Sequence, residues 1–162
     1  MDEHIKHIKM SFYSRMWSLR NLKRSGFDVP DLIDFYCSLL RPVVEFCAAV
    51  YGSFLSKQQS SDLERLQKHA LNVIVGRYGS YTEACEKYGI EKLSDRRANI
   101  IEKFALKATQ SDRFGNRWFP LKSRHGYEAR CEREFFQNKP RTERMQKGPL
   151  YSMTDILNDL AS

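Results

Sequence analysis

The sequence predicts a mostly α-helical fold, a small bundle of about five helices followed by an irregular basic arm and a short C-terminal helix. Apolar residues recur at helical steps of three and four along the first two thirds of the chain, and strand-like alternation is weak. Beyond Thr109 this period is lost, while glycine and proline become frequent. These observations divide the chain into a helical domain (1–109), a basic extended arm (110–148) and a short terminal helix (149–162).

The first predicted helix presents a single apolar face and ends at Gly26. Basic residues occupy its last turn, where positive charge suits the helix dipole, and glycine tolerates the left-handed backbone that ends many helices. The apolar face consists of Ile5, Ile8, Phe12, Met16, Leu19 and Leu22.

The second predicted helix begins near Pro30, with Asp28 as its capping residue, and meets another proline at Pro42. Proline is acceptable in a first turn but has no N–H to continue the hydrogen-bond ladder, so the helix must kink or restart at Pro42. The following segment, Val43 to Leu55, carries a single charge, at Glu45. We expect this segment to form the most buried helix of the protein.

Three further helices are indicated by their capping residues. Ser56 and Gln59 form a capping box at the start of the third helix, which Gly76 closes. A short helix is predicted at about Thr82 to Tyr88, and a fifth begins after Ser94. The apolar positions are Leu63, Leu66, Ala70, Val73 and Ile74 in the third helix and Ile100, Ile101, Phe104, Ala105 and Ala108 in the fifth.

The basic arm is rich in positive charge and lacks a stable apolar period. Residues Arg113 to Lys147 contain ten Lys or Arg against four Asp or Glu. The arm is predicted to be extended, with a candidate helix around Glu128 to Phe136. Its aromatic residues could stack on unpaired bases or pack against the helical core, and packing is the preferred interpretation. They are Trp118, Phe119, Tyr127, Phe135 and Phe136.

The overall charge favours a polyanionic partner. The net charge is +7, from 27 Lys and Arg against 20 Asp and Glu. The alternative is an ordinary solvated basic surface. No apolar run is long enough to span a membrane, and the acidic, discontinuous start of the chain argues against a secretory signal. Reduced cysteines and an intracellular location, in the cytoplasm or the nucleus, are therefore expected.

Catalytic and metal-binding patterns are missing from the sequence. It contains no Asp-Asp pair, no nucleophile elbow, no phosphate-binding Gly-rich loop and no Cys-x-x-Cys pair. His4 and His7 lie one helical turn apart, but a zinc site would need a third fixed ligand at a frayed chain end. No catalytic residue, metal or cofactor is predicted.

Basic residues at helical spacing form the candidate binding site. Arg96, Lys103 and Lys107 share one face of the fifth helix, because they are seven and four residues apart. Such a stripe can follow a phosphate backbone, although a solvated helix face with local ion pairs is an equal alternative. The residues predicted to contact phosphate are Arg65, Lys68, Arg96, Arg97, Lys103 and Lys107, followed by Arg141 and Arg144 of the arm. Arg41 is expected to support the structure near the kink.

Five modest patterns occur in one order and cover about residues 5 to 160. They are Met16 to Gly26, Arg41-Pro42 with Glu45-Phe46 (RP-x-x-E-aromatic), Leu63 to Leu71 (LE-x-x-Q-x-x-A-L), Asp95-Arg96-Arg97 and Pro140 to Asn158. Together they resemble the region downstream of the polymerase core in reverse transcriptases of non-LTR (LINE-type) retrotransposons. One departure from the family is Tyr51, at a position where tryptophan is typical.

The resemblance implies a thumb-like or post-thumb helical region, which in these enzymes helps to hold the RNA template and the growing DNA. It implies no catalytic residue, because the aspartates of the palm are absent from the sequence. The expected function is that of a nucleic-acid-associated helical fragment without polymerase activity, with RNA or an RNA/DNA hybrid as partner. The alternative is a protein-interaction or self-associating module, which would use an exposed apolar surface of the second helix and its kink.

Overall fold

The computed structural model describes residues 2–76, 79–121, 134–137 and 139–161. Of these residues, 76% are helical and none forms a β-strand, which confirms the mostly α-helical prediction. The α-helices are α1 (Asp2–Arg24), α2 (Val29–Phe35), α3 (Arg41–Glu45), α4 (Ala48–Tyr51), α5 (Lys57–Val75), α6 (Tyr81–Lys87), α7 (Leu93–Thr109), α8 (Gly115–Trp118), α9 (Glu143–Gln146) and α10 (Pro149–Leu160).

The contacts within the chain divide it into two compact units. The first comprises Met1–Ala48 with Leu55–Arg97, and the second comprises Ala49–Phe54 with Ala98–Ser162. The predicted helical domain, 1–109, therefore spans all of the first unit and part of the second. The residues of the predicted arm and terminal helix belong to the second unit.

In the first unit, α1 and α5 lie side by side and run in the same direction. Gln59 contacts Asp2 near the starts of the two helices, with Nε2 2.7 Å from Oδ1, and Arg20 contacts His69 further along both. The apolar face predicted for α1 is buried from Ile5 to Leu19. The capping box of α5 is confirmed, because the Ser56 hydroxyl accepts from the backbone N–H of Gln59 and the Gln59 amide oxygen accepts from that of Ser56.

The helix changes its geometry ahead of Pro42, as the sequence predicts. Tyr36–Leu40 form a π-helical segment, and α3 then starts with Pro42 in its first turn. The prediction of one long buried helix over 43–55 is wrong. The chain leaves the helix at Phe46, whose side chain is 69% exposed, and Cys47 adopts a left-handed backbone with φ of 58°. Left-handed geometry at a non-glycine residue interrupts an α-helix, whatever its apolar content.

The second unit has its own apolar core, built on α7 and α10. Ile101, Ala105 and Ala108 of α7 pack with Met153 and Leu157 of α10. Phe119 and Phe135 join this core in an edge-to-face ring contact, with centroids 6.5 Å apart. The segment Gly52–Phe54, which forms a 3₁₀ turn, also contacts α10.

The predicted arm holds little regular structure where it is described. Its helices there are the four-residue α8 and α9, and an isolated bridge pairs Leu121 with Phe135. Most of the candidate helix at Glu128 to Phe136 lies outside the described residues, as does Tyr127. The terminal helix, α10, starts with Pro149 in its first turn, as predicted.

Candidate nucleic-acid interface

Arg96, one of the predicted phosphate contacts, is held by carboxylates of the first unit. Its Nε and NH2 atoms contact the two carboxylate oxygens of Glu45, with NH2 3.2 Å from Oε2, and NH1 lies 3.4 Å from Oε2 of Glu91. The hydrogen bond to Glu45, together with the charge of that carboxylate, raises the pKa of the Arg96 guanidinium. Two acids therefore occupy the donors that a phosphate would need.

Arg97 is buried, with 5% of the residue exposed. Its NH2 atom donates to the hydroxyl of Ser60 at 2.7 Å, which joins the start of α7 to α5. A buried guanidinium cannot reach a phosphate in solvent without a local rearrangement. Arg97 is therefore not available for phosphate contact in this conformation.

A buried polar network surrounds Gln67 on α5. Its amide oxygen accepts from the Tyr36 hydroxyl at 2.7 Å, and its amide nitrogen donates to Tyr81 Oη and to the Glu91 carbonyl, both at 2.9 Å. Burial is the main cause that raises the pKa values of both tyrosines, and the hydrogen bond from Tyr81 to Glu64 adds to the second shift. The network leaves the buried Gln67 amide fully paired.

Glu64, one turn before Gln67, supports the start of α7. Its two carboxylate oxygens accept from the backbone N–H groups of Leu93 and Ser94, each at 3.2 Å. These are N–H groups of a first helical turn, which have no partner inside the helix. Glu64 and Gln67 thus connect α5 to three other segments of the first unit. Their role is therefore structural.

The other six predicted cations are exposed. On α5, Arg65 NH1 lies 3.3 Å from Asp62 Oδ1, whereas Lys68 Nζ lies 4.8 Å from the centre of the Tyr81 ring. These two cations therefore occupy different flanks of α5, one beside α1 and one beside α6. The predicted cations of the second unit are Lys103 and Lys107 on α7, Arg141, and Arg144 on α9.

Asp62 is shared by cations of two helices. Lys9 Nζ lies 2.7 Å from Asp62 Oδ2, and Arg65 contacts the other carboxylate oxygen. The hydrogen bond from Lys9 and that from Gln58 hold the pKa of Asp62 below its usual value. This part of the surface carries two positive charges for one negative charge.

Sequence reasoning missed an exposed aromatic pair on α1. Trp17 is 68% and Tyr13 51% exposed, and Tyr13 makes an edge-to-face contact with His69 of α5. Helical periodicity could have identified them, because the buried face passes through Phe12 and Met16 and both rings lie outside that face. Large aromatic residues outside the buried face are candidates for binding.

Comparison with protein-family models, with curated proteins and with solved structures finds no match to this chain. Among the described residues, no group of three His, Cys, Asp or Glu side chains is arranged to hold a metal ion. None of the helices described is both long enough and apolar enough to cross a lipid bilayer.

Proposed function

We propose that this chain is a nucleic-acid-associated helical fragment, derived from the C-terminal thumb or post-thumb region of a non-LTR reverse transcriptase and without polymerase activity of its own. The observation that carries the proposal is the exposure of most predicted phosphate contacts in a chain of net charge +7. The contributing residues are Arg65, Lys68, Lys103, Lys107, Arg141 and Arg144. Exposed lysines and arginines supply the sequence-independent part of nucleic-acid affinity.

The proposed descent is supported by the internal contacts of the patterns that carry the resemblance. The RP-x-x-E pattern supplies Glu45, and the later Arg-Arg pair supplies its partner, Arg96. The LE-x-x-Q pattern supplies Glu64 and Gln67, which pair with other parts of the first unit. Patterns of this kind specify a fold and carry no catalytic group. This agrees with a thumb-like region that holds nucleic acid and does not include the catalytic palm.

A salt titration tests the proposed binding. We expect the logarithm of the affinity for an RNA/DNA hybrid to fall linearly with the logarithm of the salt concentration. The double variant Lys103→Gln, Lys107→Gln should reduce the slope by up to about 1.8, since each phosphate contact contributes about 0.9. The control is Lys147→Gln, an exposed lysine that already pairs with Glu143. An affinity that does not change with salt would contradict phosphate binding.

A primer-extension assay tests the absence of polymerase activity. With a template, a primer, deoxynucleotides and magnesium, we expect no extension by this chain, because it lacks the paired aspartates that hold the metal ions. Extension by the purified chain would overturn this part of the proposal.

Self-association is the second candidate function, favoured by exposed apolar side chains around the kink. Leu39 is 50% and Phe46 69% exposed, and both belong to the first unit. Exposed apolar side chains that cluster drive association. Gel filtration at high salt separates this function from nucleic-acid binding, because apolar association persists when phosphate contacts are screened.

A further inference from the structure

One exposed stripe of α1 combines aromatic and basic side chains. Its members are spaced seven, four, three and four residues apart, which places them along one side of the helix. They are Lys6, Tyr13, Trp17, Arg20 and Arg24, and all five are exposed. The stripe is separate from the buried face of α1 and contains none of the cations predicted from the sequence.

His69 of α5 borders this stripe and positions two of its members. Arg20 NH2 lies 3.0 Å from His69 Nε2, and the Tyr13 ring lies 6.0 Å from the His69 ring, centre to centre. A guanidinium only donates, so Arg20 is the donor and His69 Nε2 the acceptor of this hydrogen bond. The contact therefore orients Arg20 without neutralising its charge.

The charges along the stripe are positive on balance. Lys6 pairs with Glu3, whose carboxylate lies 2.7 Å from Nζ. On the neighbouring edge, Lys9 and Arg65 share the single carboxylate of Asp62. A negatively charged partner that also offers flat apolar faces is complementary to this combination.

We propose that the stripe is a stacking platform for single-stranded nucleic acid, a ligand class that refines the function proposed above and depends on it. Trp17 and Tyr13 each stack on one unpaired base, and Arg20 and Arg24 contact the phosphates beside those bases. The two rings are four residues apart, or roughly 6 Å along the helix axis. That spacing exceeds the 3.4 Å rise of a stacked strand, so it suits a strand whose bases are separated, and a duplex cannot present its bases in this way.

The charged members of the stripe favour this ligand over a protein partner. An apolar protein surface packed on Trp17 would also cover Arg20, whose guanidinium contacts no carboxylate in the hydrogen bond to His69 and would lose its hydration. A phosphate compensates for that loss, whereas an apolar side chain does not.

The test compares Trp17→Leu with Phe46→Leu in the full chain. Phe46 is the matched control, because it is 69% exposed against 68% for Trp17 and belongs to the same unit. The probes are a fluorescein-labelled oligouridylate of about 12 nucleotides and a labelled RNA duplex of equal length, measured by anisotropy at low salt. Circular dichroism confirms that each variant retains its helix content.

We expect Trp17→Leu to weaken binding of the single strand about tenfold, to leave the salt slope unchanged and to have no effect on the duplex. Phe46→Leu should bind both probes like the parent. In a Trp118→Phe background, Trp17 is the only tryptophan, and its emission should be quenched as the single strand saturates.

Three outcomes would overturn the platform. If Trp17→Leu binds the single strand as tightly as Phe46→Leu does, stacking is refuted while phosphate binding remains. Emission of Trp17 that does not change when the single strand saturates the protein would have the same meaning. Conversion of an oligomer into a monomer by Trp17→Leu, with unchanged oligouridylate affinity, would assign the stripe to a protein partner. Failure of the parent to bind either probe at low salt would instead reject the function on which the platform depends.

Discussion

Arg96 and Glu45 contact each other through two nitrogen and two oxygen atoms, although 51 residues separate them along the chain. The pair joins α7 to α3 within the first unit, and its side chains are only 27% and 15% exposed. Arg41 lies 3.6 Å from the same carboxylate, in keeping with the structural role expected for it near the kink. The planar fork of an arginine suits this geometry better than the single ammonium of a lysine.

Replacing Arg96 should destabilise the first unit and leave the salt dependence of nucleic-acid binding unchanged. We expect Arg96→Gln to cost about 2 kcal/mol, because it leaves the partly buried Glu45 carboxylate without its main partner. The control is Arg65→Gln, which removes an exposed cation and should change stability by about 0.5 kcal/mol or less. Urea unfolding measures both. A change of salt slope by Arg96→Gln with unaltered stability would return Arg96 to the binding surface.

The amide of Gln67 should be essential to the stability of the first unit. Gln67→Leu keeps the volume but leaves the buried Tyr36 hydroxyl and the Glu91 carbonyl without their partner, at a cost of about 3 kcal/mol. Gln58→Leu, on an exposed turn of the same helix, should change stability by about 0.5 kcal/mol or less. Adding Tyr36→Phe to Gln67→Leu should recover part of the loss, since it removes one orphaned hydroxyl. If the effects of the two substitutions on the free energy of unfolding simply add, the proposed coupling between Gln67 and Tyr36 is contradicted.

Alkaline solution should unfold the protein before Tyr36 ionises. Its pKa is raised far above the ordinary value of 10.0 by burial, so the folded chain keeps a proton that the unfolded chain loses. The contribution of Tyr36 is complete below pH 10 and decreases above it, by about 1.4 kcal/mol per pH unit. Tyrosinate absorbance recorded with circular dichroism checks this order. Ionisation of all eight tyrosines in a folded chain would contradict it.

Gly115 should not tolerate a side chain. A Cβ atom there would lie 2.4 Å from the backbone carbonyl oxygen of Thr109, at the end of α7, and backbone cannot move aside easily. We expect Gly115→Ala to destabilise the second unit by about 2 kcal/mol. Gly79→Ala is the control, because its nearest atom would be a mobile carboxylate oxygen of Glu83 at 3.4 Å. Amide exchange of α10 reports on the second unit, and equal protection in the two variants would contradict this expectation.

Local signals in the sequence predicted most helix positions. The capping box at Ser56 and Gln59 and the proline that opens α10 specify helix starts through nearby backbone groups, so they can be recognised without tertiary contacts. The break at Cys47 escaped prediction, because neither glycine nor proline marks a left-handed residue there.

The candidate site was less accessible to sequence reasoning. Arg96 and Arg97 have the spacing of exposed cations, but their partners, Glu45 and Ser60, lie far away in the sequence and become neighbours only on folding. The exposure of Trp17 is harder to recognise, because an aromatic residue in an amphipathic helix is usually a core residue, and only its position relative to Met16 indicates otherwise. Periodicity thus predicts the buried face of a helix. It does not predict which charged residues form ion pairs inside the fold.

The assignment of Ala49–Phe54 to the second unit has a consequence for biosynthesis. These residues leave the ribosome well before α10, which the turn at Gly52–Phe54 contacts. The first unit has all its segments once Arg97 has emerged, but the second must wait for a distant stretch of chain. Nascent chains should therefore acquire the first unit during translation, while the second stays open to proteases until α10 has been made.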